Sequence, residues 1–263
     1  MLQVIDPVVI GAGIAVGIFF GILLFLMIGR RIGRRDLARY GAAGLSSTGS
    51  LEAAVFALLG LMIAFTFSGA LTRFDVRRGQ VVDEANAIGT AYLRIALLPE
   101  AAQPAMRETF RRYVDSRIAT YRKLPDLDAA REELGRSLAL QTDIWTQAIA
   151  AVRLPESRPG TEVIVVPALN QMFDITSVRV AATQMHPPLI IYAMLIGLAL
   201  GAAALAGYQS ASDKGADWLH KIGFAAVIAL TVYVILDIEY PRLGFVRIDA
   251  IDQVLVNVRA SMK

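Results

Sequence analysis

Four long apolar stretches constrain this sequence more than any other feature. They cover residues 7–28, 53–72, 189–207 and 222–240. The charged residues within them are Asp237 and Glu239. A helix rises ~1.5 Å per residue, so about 20 apolar residues cross the ~30 Å hydrocarbon core of a membrane. Because backbone amides in lipid need hydrogen-bond partners within their own segment, these stretches are predicted to be transmembrane helices.

The composition agrees with a mixture of membrane-embedded and water-exposed protein. The chain is 56% hydrophobic and 19% charged, whereas soluble domains are about 45–50% apolar and about 25% charged. Core helices of a large soluble protein are the alternative, but the intervening polar sequence is too short to surround four of them. The first stretch is expected to stay as an anchor rather than to be cleaved, because residues 1–6 contain no Lys or Arg.

Several classes of function are disfavoured by what the chain lacks. It has no Cys, and its histidines are His186 and His220, so thiolate metal sites and Ser–His relays are not expected. A net charge of +3 is too small to predict nucleic-acid binding. The glycines after Pro7 resemble a dinucleotide-binding loop, but the apolar run continues to Ile28 and the required acidic residue is missing. No enzyme activity, cofactor or metal is predicted.

Glycines four positions apart predict close packing between apolar helices. Gly13, Gly17 and Gly21 follow this spacing in the first stretch, and Gly197 and Gly201 in the third. Small residues allow helix backbones to approach each other, which favours association in lipid.

Loop charges favour a cytoplasmic position for the short loops 29–50 and 208–221. The first loop carries five arginines against one acid, and the second carries Lys214 and Lys221. By the positive-inside rule, both termini and the long segment 73–188 would then lie outside the cytoplasm. Arginines beside the second and fourth stretches make the opposite side nearly as basic, so the loop charges favour the extracytoplasmic side for residues 73–188 only weakly.

The segment between the second and third stretches is predicted to be a helical bundle punctuated by prolines. The second stretch continues without a breaker to Leu98, and Pro167 is expected to kink or delay the last helix. The other expected helices are Ala105–Leu124, Asp126–Val152 and about Thr161 to Met185. Residues 41–50, rich in Gly and Ser, predict a flexible connector.

The predicted fold class is therefore an all-α membrane protein with four transmembrane helices and a helical soluble domain inserted between spans two and three. The predicted domains are 1–72, 73–188, 189–240 and a C-terminal tail, 241–263.

A basic segment with Arg73, Arg77 and Arg78 follows the second stretch. On a helix, Arg73, Arg77, Gln80 and Glu84 share one face. This face is interpreted either as a juxtamembrane surface with internal ion pairs or as part of an arginine ring that attracts anions around a shared axis.

An apolar stripe at helical spacing runs along the second stretch. Such a stripe is typical of a packed core, and around an axis it would form a constriction that gates by dewetting. The candidate pore-lining residues are Phe56, Gly60, Ile63, Phe67, Leu71 and Phe74.

Asp237 and Glu239 are candidates for function because ionisable groups in membrane helices are costly. One interpretation pairs either carboxylate with Arg73 or Arg242. The others are a cation site built from carboxylates and carbonyls and a proton relay.

The segment Leu58–Ala70, followed by RFDVRR and EANAIGTAYLRIALLP, resembles the bestrophin-like family of bacterial membrane proteins. The later DIEYPRLGFVRIDAIDQ is similar to the closing segment of that family. The resemblance implies distant kinship with bestrophins, which are pentameric, largely helical anion channels with four spans per subunit and a pore lined by the second. It would place the pore helix at Ala53–Phe74, with Phe56, Ile63 and Phe67 at the constriction.

The same resemblance has limits. Span two lacks a bestrophin-type neck motif, and no run of consecutive acids follows span four, so calcium gating is not expected. Bestrophins also keep their soluble part in the cytosol, which opposes the loop-charge count.

The leading hypothesis is a homo-oligomeric channel, with five subunits implied by the resemblance, that passes inorganic anions such as chloride across the bilayer of a bacterial inner membrane. One alternative is a membrane-anchored sensor or scaffold with a partner-binding helical domain. Another is a proton-coupled carrier that uses Asp237 and Glu239.

Overall fold

All regular elements in the described part of the chain are helical in the computed structural model of this protein. The structure describes residues 7–41, 49–212, 218–242 and 244–263. Within these ranges the α-helices are α1 (Pro7–Tyr40), α2 (Gly49–Arg94), α3 (Gln103–Arg122), α4 (Leu127–Val152), α5 (Thr161–Gln184), α6 (Leu189–Gln209), α7 (Trp218–Glu239) and α8 (Gln253–Ser261). The prediction of an all-helical chain is confirmed.

Four helical stretches of the described residues are long and apolar enough to cross a membrane, as predicted. They are Val9–Tyr40, Gly49–Leu97, Thr161–Ser212 and Trp218–Glu239.

The helix α1 is longer than its apolar stretch. The loop predicted from residue 29 is wrong as far as Tyr40, because Arg, Leu and Ala favour helix and no proline interrupts them. The helix ends at Gly41, whose φ of 67° is in the left-handed region and whose N–H donates to the Leu37 carbonyl over 3.0 Å. Most of the predicted flexible connector, residues 42–48, lies outside the described residues.

The predicted helices between the second and third spans are confirmed, with the ends of α3, α4 and α5 shifted by at most two residues and the end of α2 by four. The helix α2 continues unbroken to Arg94. Asp126 caps α4 by accepting from the N–H groups of Asp128 and Ala129. Pro167 lies inside α5, which still begins at Thr161, so the proline does not delay the helix.

The segment predicted as a C-terminal tail contains a helix. A helical turn at Asp249–Asp252 leads into α8. This helix was missed because nine residues are too short to show a clear helical periodicity.

The chain divides into two compact units. The first contains residues 1–73 and 186–245, and in it α1 packs against α6 and α7. A Cβ atom added to Gly29, Gly33 or Gly207 would overlap backbone atoms of the facing helix, so the backbones of α1 and α6 are in direct contact.

The glycine pairs predicted to pack closely behave differently. A Cβ atom at Gly13, Gly17, Gly197 or Gly201 would meet no atom of the described chain within 4 Å, whereas one at Gly21 would lie 3.2 Å from the Leu200 side chain of α6. Of the predicted glycines Gly21 therefore approaches a neighbouring helix, while the direct backbone contacts depend on other glycines.

The second unit contains residues 74–185 and 246–263. Its core joins the second part of α2 to α3, α4, α5 and α8, with Ile88, Phe110, Ile144 and Met172 fully buried. The Tyr92 hydroxyl donates to the Lys263 carbonyl over 2.6 Å, which fixes the end of the chain to α2.

Candidate functional site

The candidate pore stripe lies on α2 and is only partly covered by its own chain. Three of its members are exposed, namely Gly60, Phe67 and Leu71. The other three, Phe56, Ile63 and Phe74, are half-buried. The Phe56 ring meets the Phe224 ring of α7 edge to face, with centroids 5.7 Å apart.

Arg73 is neutralised within the first unit. Its Nε lies 3.0 and 2.9 Å from the two carboxylate oxygens of Glu239, and its Nη2 donates to Oε2 over 2.7 Å. The His186 Nδ1 is 3.0 Å from Glu239 Oε1, and the His186 ring stacks on Tyr240. The ion-pair interpretation of Glu239 is thus the one observed.

Asp237 holds the chain that follows α7. It accepts a hydrogen bond from the Phe245 backbone N–H over 2.9 Å, and the Tyr233 hydroxyl lies 3.4 Å away. Its carboxylate lies so close to Gly244 that a side chain there would collide with it. Among the described residues, no three His, Asp or Glu side chains are grouped so that they could hold a metal ion.

Arg77 is buried in the second unit and points to the end of α5. It donates to the Ala182 carbonyl over 3.1 Å and to the Met185 carbonyl over 3.0 Å. The last carbonyls of a helix have no intrahelical partner, and a cation there also offsets the negative end of the helix dipole. Arg77 therefore stabilises its own bundle.

Arg78 differs from both neighbours because its guanidinium is exposed. Its Nη1 lies 3.3 Å from Oδ1 of Asp75, whose side chain is also exposed. Its Cζ lies 5.6 Å from the centroid of the Phe74 ring. On a helix, Arg78 follows Phe67 by eleven residues and Leu71 by seven, so all three lie on one face. Of the three arginines predicted to attract anions, Arg78 is the one presented to solvent on that face.

Comparisons with known proteins place the chain in a family. The profile of the Bestrophin-like domain matches residues 46–251. The chain belongs to the bestrophin-like family. Its fold is similar to the crystal structure of a single-site variant of a bacterial bestrophin homolog from Klebsiella pneumoniae, with a TM-score of 0.62 and 14% identity over 94% of this chain and 98% of that chain. No curated protein matched the sequence significantly.

Two features of this bestrophin-like chain were missed in the sequence. Gly29 and Gly33 have the four-residue spacing, but they follow the first apolar stretch, in residues predicted to be a loop. Glu84 was noted on the arginine face, whereas its partners Arg117 and Arg179 lie 33 and 95 residues away along the chain and carry no sequence signal that links them to it.

Proposed function

We propose that this bestrophin-like protein is a homo-oligomeric ion channel that prefers anions and whose pore is lined by α2. The observation that carries the proposal is the open face of α2, on which Gly60, Phe67 and Leu71 are not covered by their own chain. A membrane-spanning helix with an uncovered aromatic stripe can form a hydrophobic constriction when several copies surround an axis.

The anion preference is attributed mainly to Arg78. Arg73 forms an ion pair with Glu239, and Arg77 donates to helix carbonyls. Both arginines therefore contribute less to the electric field at the pore mouth. The pair between Arg78 and Asp75 is exposed on both sides, and such surface pairs are weak. A ring of Arg78 side chains would therefore raise the local anion concentration.

Three finer parts of the proposal extend the family assignment. The subunits number five, residues 74–185 form a soluble helical domain between the second and third spans, and the protein lies in a bacterial inner membrane. Mass photometry of the protein in detergent or nanodiscs tests the subunit number.

The test of selectivity is the reversal potential in planar bilayers under a chloride gradient. Wild-type protein should carry chloride, and Arg78→Glu should shift the reversal potential toward cation selectivity. Arg131→Glu is the matched control, because Arg131 also pairs with an acid three residues earlier, Asp128, but lies on α4. Absence of current, or equal selectivity in open Arg78→Glu channels, would contradict the proposal.

The test of the pore face compares two phenylalanines on one helix. Phe67→Ala should raise the single-channel conductance by widening the constriction. In the channels that assemble, Phe65→Ala should leave the single-channel conductance unchanged, since Phe65 lies on nearly the opposite side of α2. If both substitutions change conductance equally, the pore stripe is wrongly assigned.

A further inference from the structure

A cluster of one carboxylate and two guanidinium groups is buried inside the second unit, and one of its N–H donors has no hydrogen-bond partner among the described residues. The side chains of Glu84 on α2 and Arg117 on α3 have no exposed area, and that of Arg179 on α5 is 5% exposed. The Arg117 Nε donates to Glu84 Oε1 over 2.6 Å, and the Arg179 Nη1 donates to Oε2. One carboxylate is thus shared by two guanidinium groups.

The guanidinium of Arg117 has a donor that is not used. Its Nη2 donates to the Tyr121 hydroxyl over 2.7 Å, and its Cζ lies 5.2 Å from the centroid of the Tyr121 ring. Its Nη1 is buried and has no hydrogen-bond partner in the described part of the chain. A buried donor without a partner is costly, and more so when it carries charge.

Nearby polar side chains are engaged elsewhere. One turn before Arg117, the Tyr113 hydroxyl lies 3.0 Å from the Thr176 hydroxyl, and Gln141 donates to both oxygens. These three residues form a network of their own.

We propose that Nη1 of Arg117 binds a small monovalent anion, such as chloride, within the helical bundle. Arg117 pairs with the carboxylate of Glu84, which Arg179 also contacts, so a water molecule would satisfy the hydrogen bond but would leave part of the Arg117 charge unbalanced. A single negative charge is enough to complete the pairing of one guanidinium. A small size suits a guanidinium with no exposed area.

A cavity borders Tyr121, the residue that accepts a hydrogen bond from Arg117. The cavity has a volume of about 280 Å³. Arg122 and Arg247 line the same cavity together with acidic residues. In this proposal the anion would reach Arg117 from this cavity, past Tyr121.

The anion site is separate from the proposed pore. It uses buried residues of the second unit, whereas the pore proposal uses the exposed face of α2. Loss of one therefore does not imply loss of the other, and the two are measured by different experiments.

The test is the thermal unfolding of the full-length protein in detergent at constant ionic strength, with chloride or bromide exchanged for gluconate. A halide bound to the folded state raises the melting temperature with a saturable dependence on its concentration, by a few degrees well above its dissociation constant. Arg117→Lys keeps the charge but removes Nη1, so the halide dependence should disappear. Arg112→Lys, at an exposed arginine of the same helix that does not line the cavity, should retain it.

A second measurement covers the case in which Arg117→Lys does not fold. Crystals of the wild-type protein grown with bromide should show an anomalous peak within hydrogen-bond distance of Arg117 Nη1. Equal melting temperatures in halide and gluconate, or a water-like peak without anomalous signal, would overturn the proposal. Ion currents in bilayers play no part in either measurement.

Discussion

The two halves of α2 differ sharply in how their own chain covers them. In the half that belongs to the second unit, Val81, Ala85 and Ile88 are buried. In the half that belongs to the first unit, Phe65 is 66% and Leu61 is 50% exposed. The half in the second unit contributes a stripe to the buried core of its own chain, although Leu93 on it is 74% exposed. The half in the first unit presents large apolar side chains that lipid or further subunits must cover.

The buried half should depend strongly on Glu84. Glu84→Ala leaves Arg117 and Arg179 as buried cations without their shared carboxylate, and breaking such a cluster costs about 3–5 kcal/mol of unfolding free energy. Chemical unfolding followed by circular dichroism measures the loss.

Asp83→Ala is the control for this prediction, because Asp83 is the exposed neighbour on the same helix. Its effect should stay within about 0.5 kcal/mol. If the two substitutions cost the same, the cluster does not stabilise the bundle.

The helices α1 and α6 differ from the exposed half of α2, because these two membrane helices pack against each other within one chain. Gly29→Ala places a Cβ atom against the backbone at Ala204, and such overpacking costs about 1–3 kcal/mol. Gly17→Ala, where an added Cβ has open space, should be neutral or stabilising because alanine favours helix. Thermal unfolding in detergent distinguishes them, and equal melting temperatures would contradict the close backbone contact.

The helices could be predicted from the sequence because their signals are local. Apolar runs of membrane length and the proline positions gave the spans and the helices of residues 103–184 to within a few residues. Residues 29–40 are the exception, because their arginines are typical of a loop beside a membrane span and yet also favour continuation of the helix. The packing of Gly29 and Gly33 against α6 depends on that continuation.

The orientation of side chains around α2 could not be predicted in the same way. Arg73, Arg77 and Arg78 are nearly adjacent in sequence, yet one pairs with α7, one caps α5 and one is exposed. Which face is covered depends on helices that are distant along the chain. The pairing of Glu239 with Arg73 was among the alternatives, whereas the part played by His186 was not.

The exposed half of α2 should affect assembly more than folding. Phe65 lies opposite the proposed pore stripe, so in an oligomer it is expected to contact a neighbouring subunit. Phe65→Ala should change the unfolding free energy of the monomer by only about 0.5 kcal/mol but should shift the protein toward smaller assemblies. Light scattering after size exclusion measures the change, and an unaltered oligomer would indicate that Phe65 contacts lipid.

The smallest expected effect concerns an ion pair at the surface of the second unit. Lys123 Nζ lies 2.8 Å from Glu133 Oε2, and the hydrogen bond from Lys123 is the main reason that the pKa of Glu133 lies below its ordinary value. Because this pKa is lower in the folded protein than in the unfolded chain, the pair stabilises the fold above the ordinary pKa of a glutamate. That stabilisation is lost as the pH falls through the lowered folded value.

Lys123→Met should therefore lower the melting temperature slightly at neutral pH, and the difference from wild type should vanish in acid. Arg131→Met is the control, since Arg131 and Asp128 are both well exposed and such pairs contribute little. Melting temperatures measured from neutral pH to below the lowered pKa of Glu133 in the folded protein test this. A difference that persists in acid would mean that Lys123 stabilises the bundle through packing of its alkyl chain rather than through its charge.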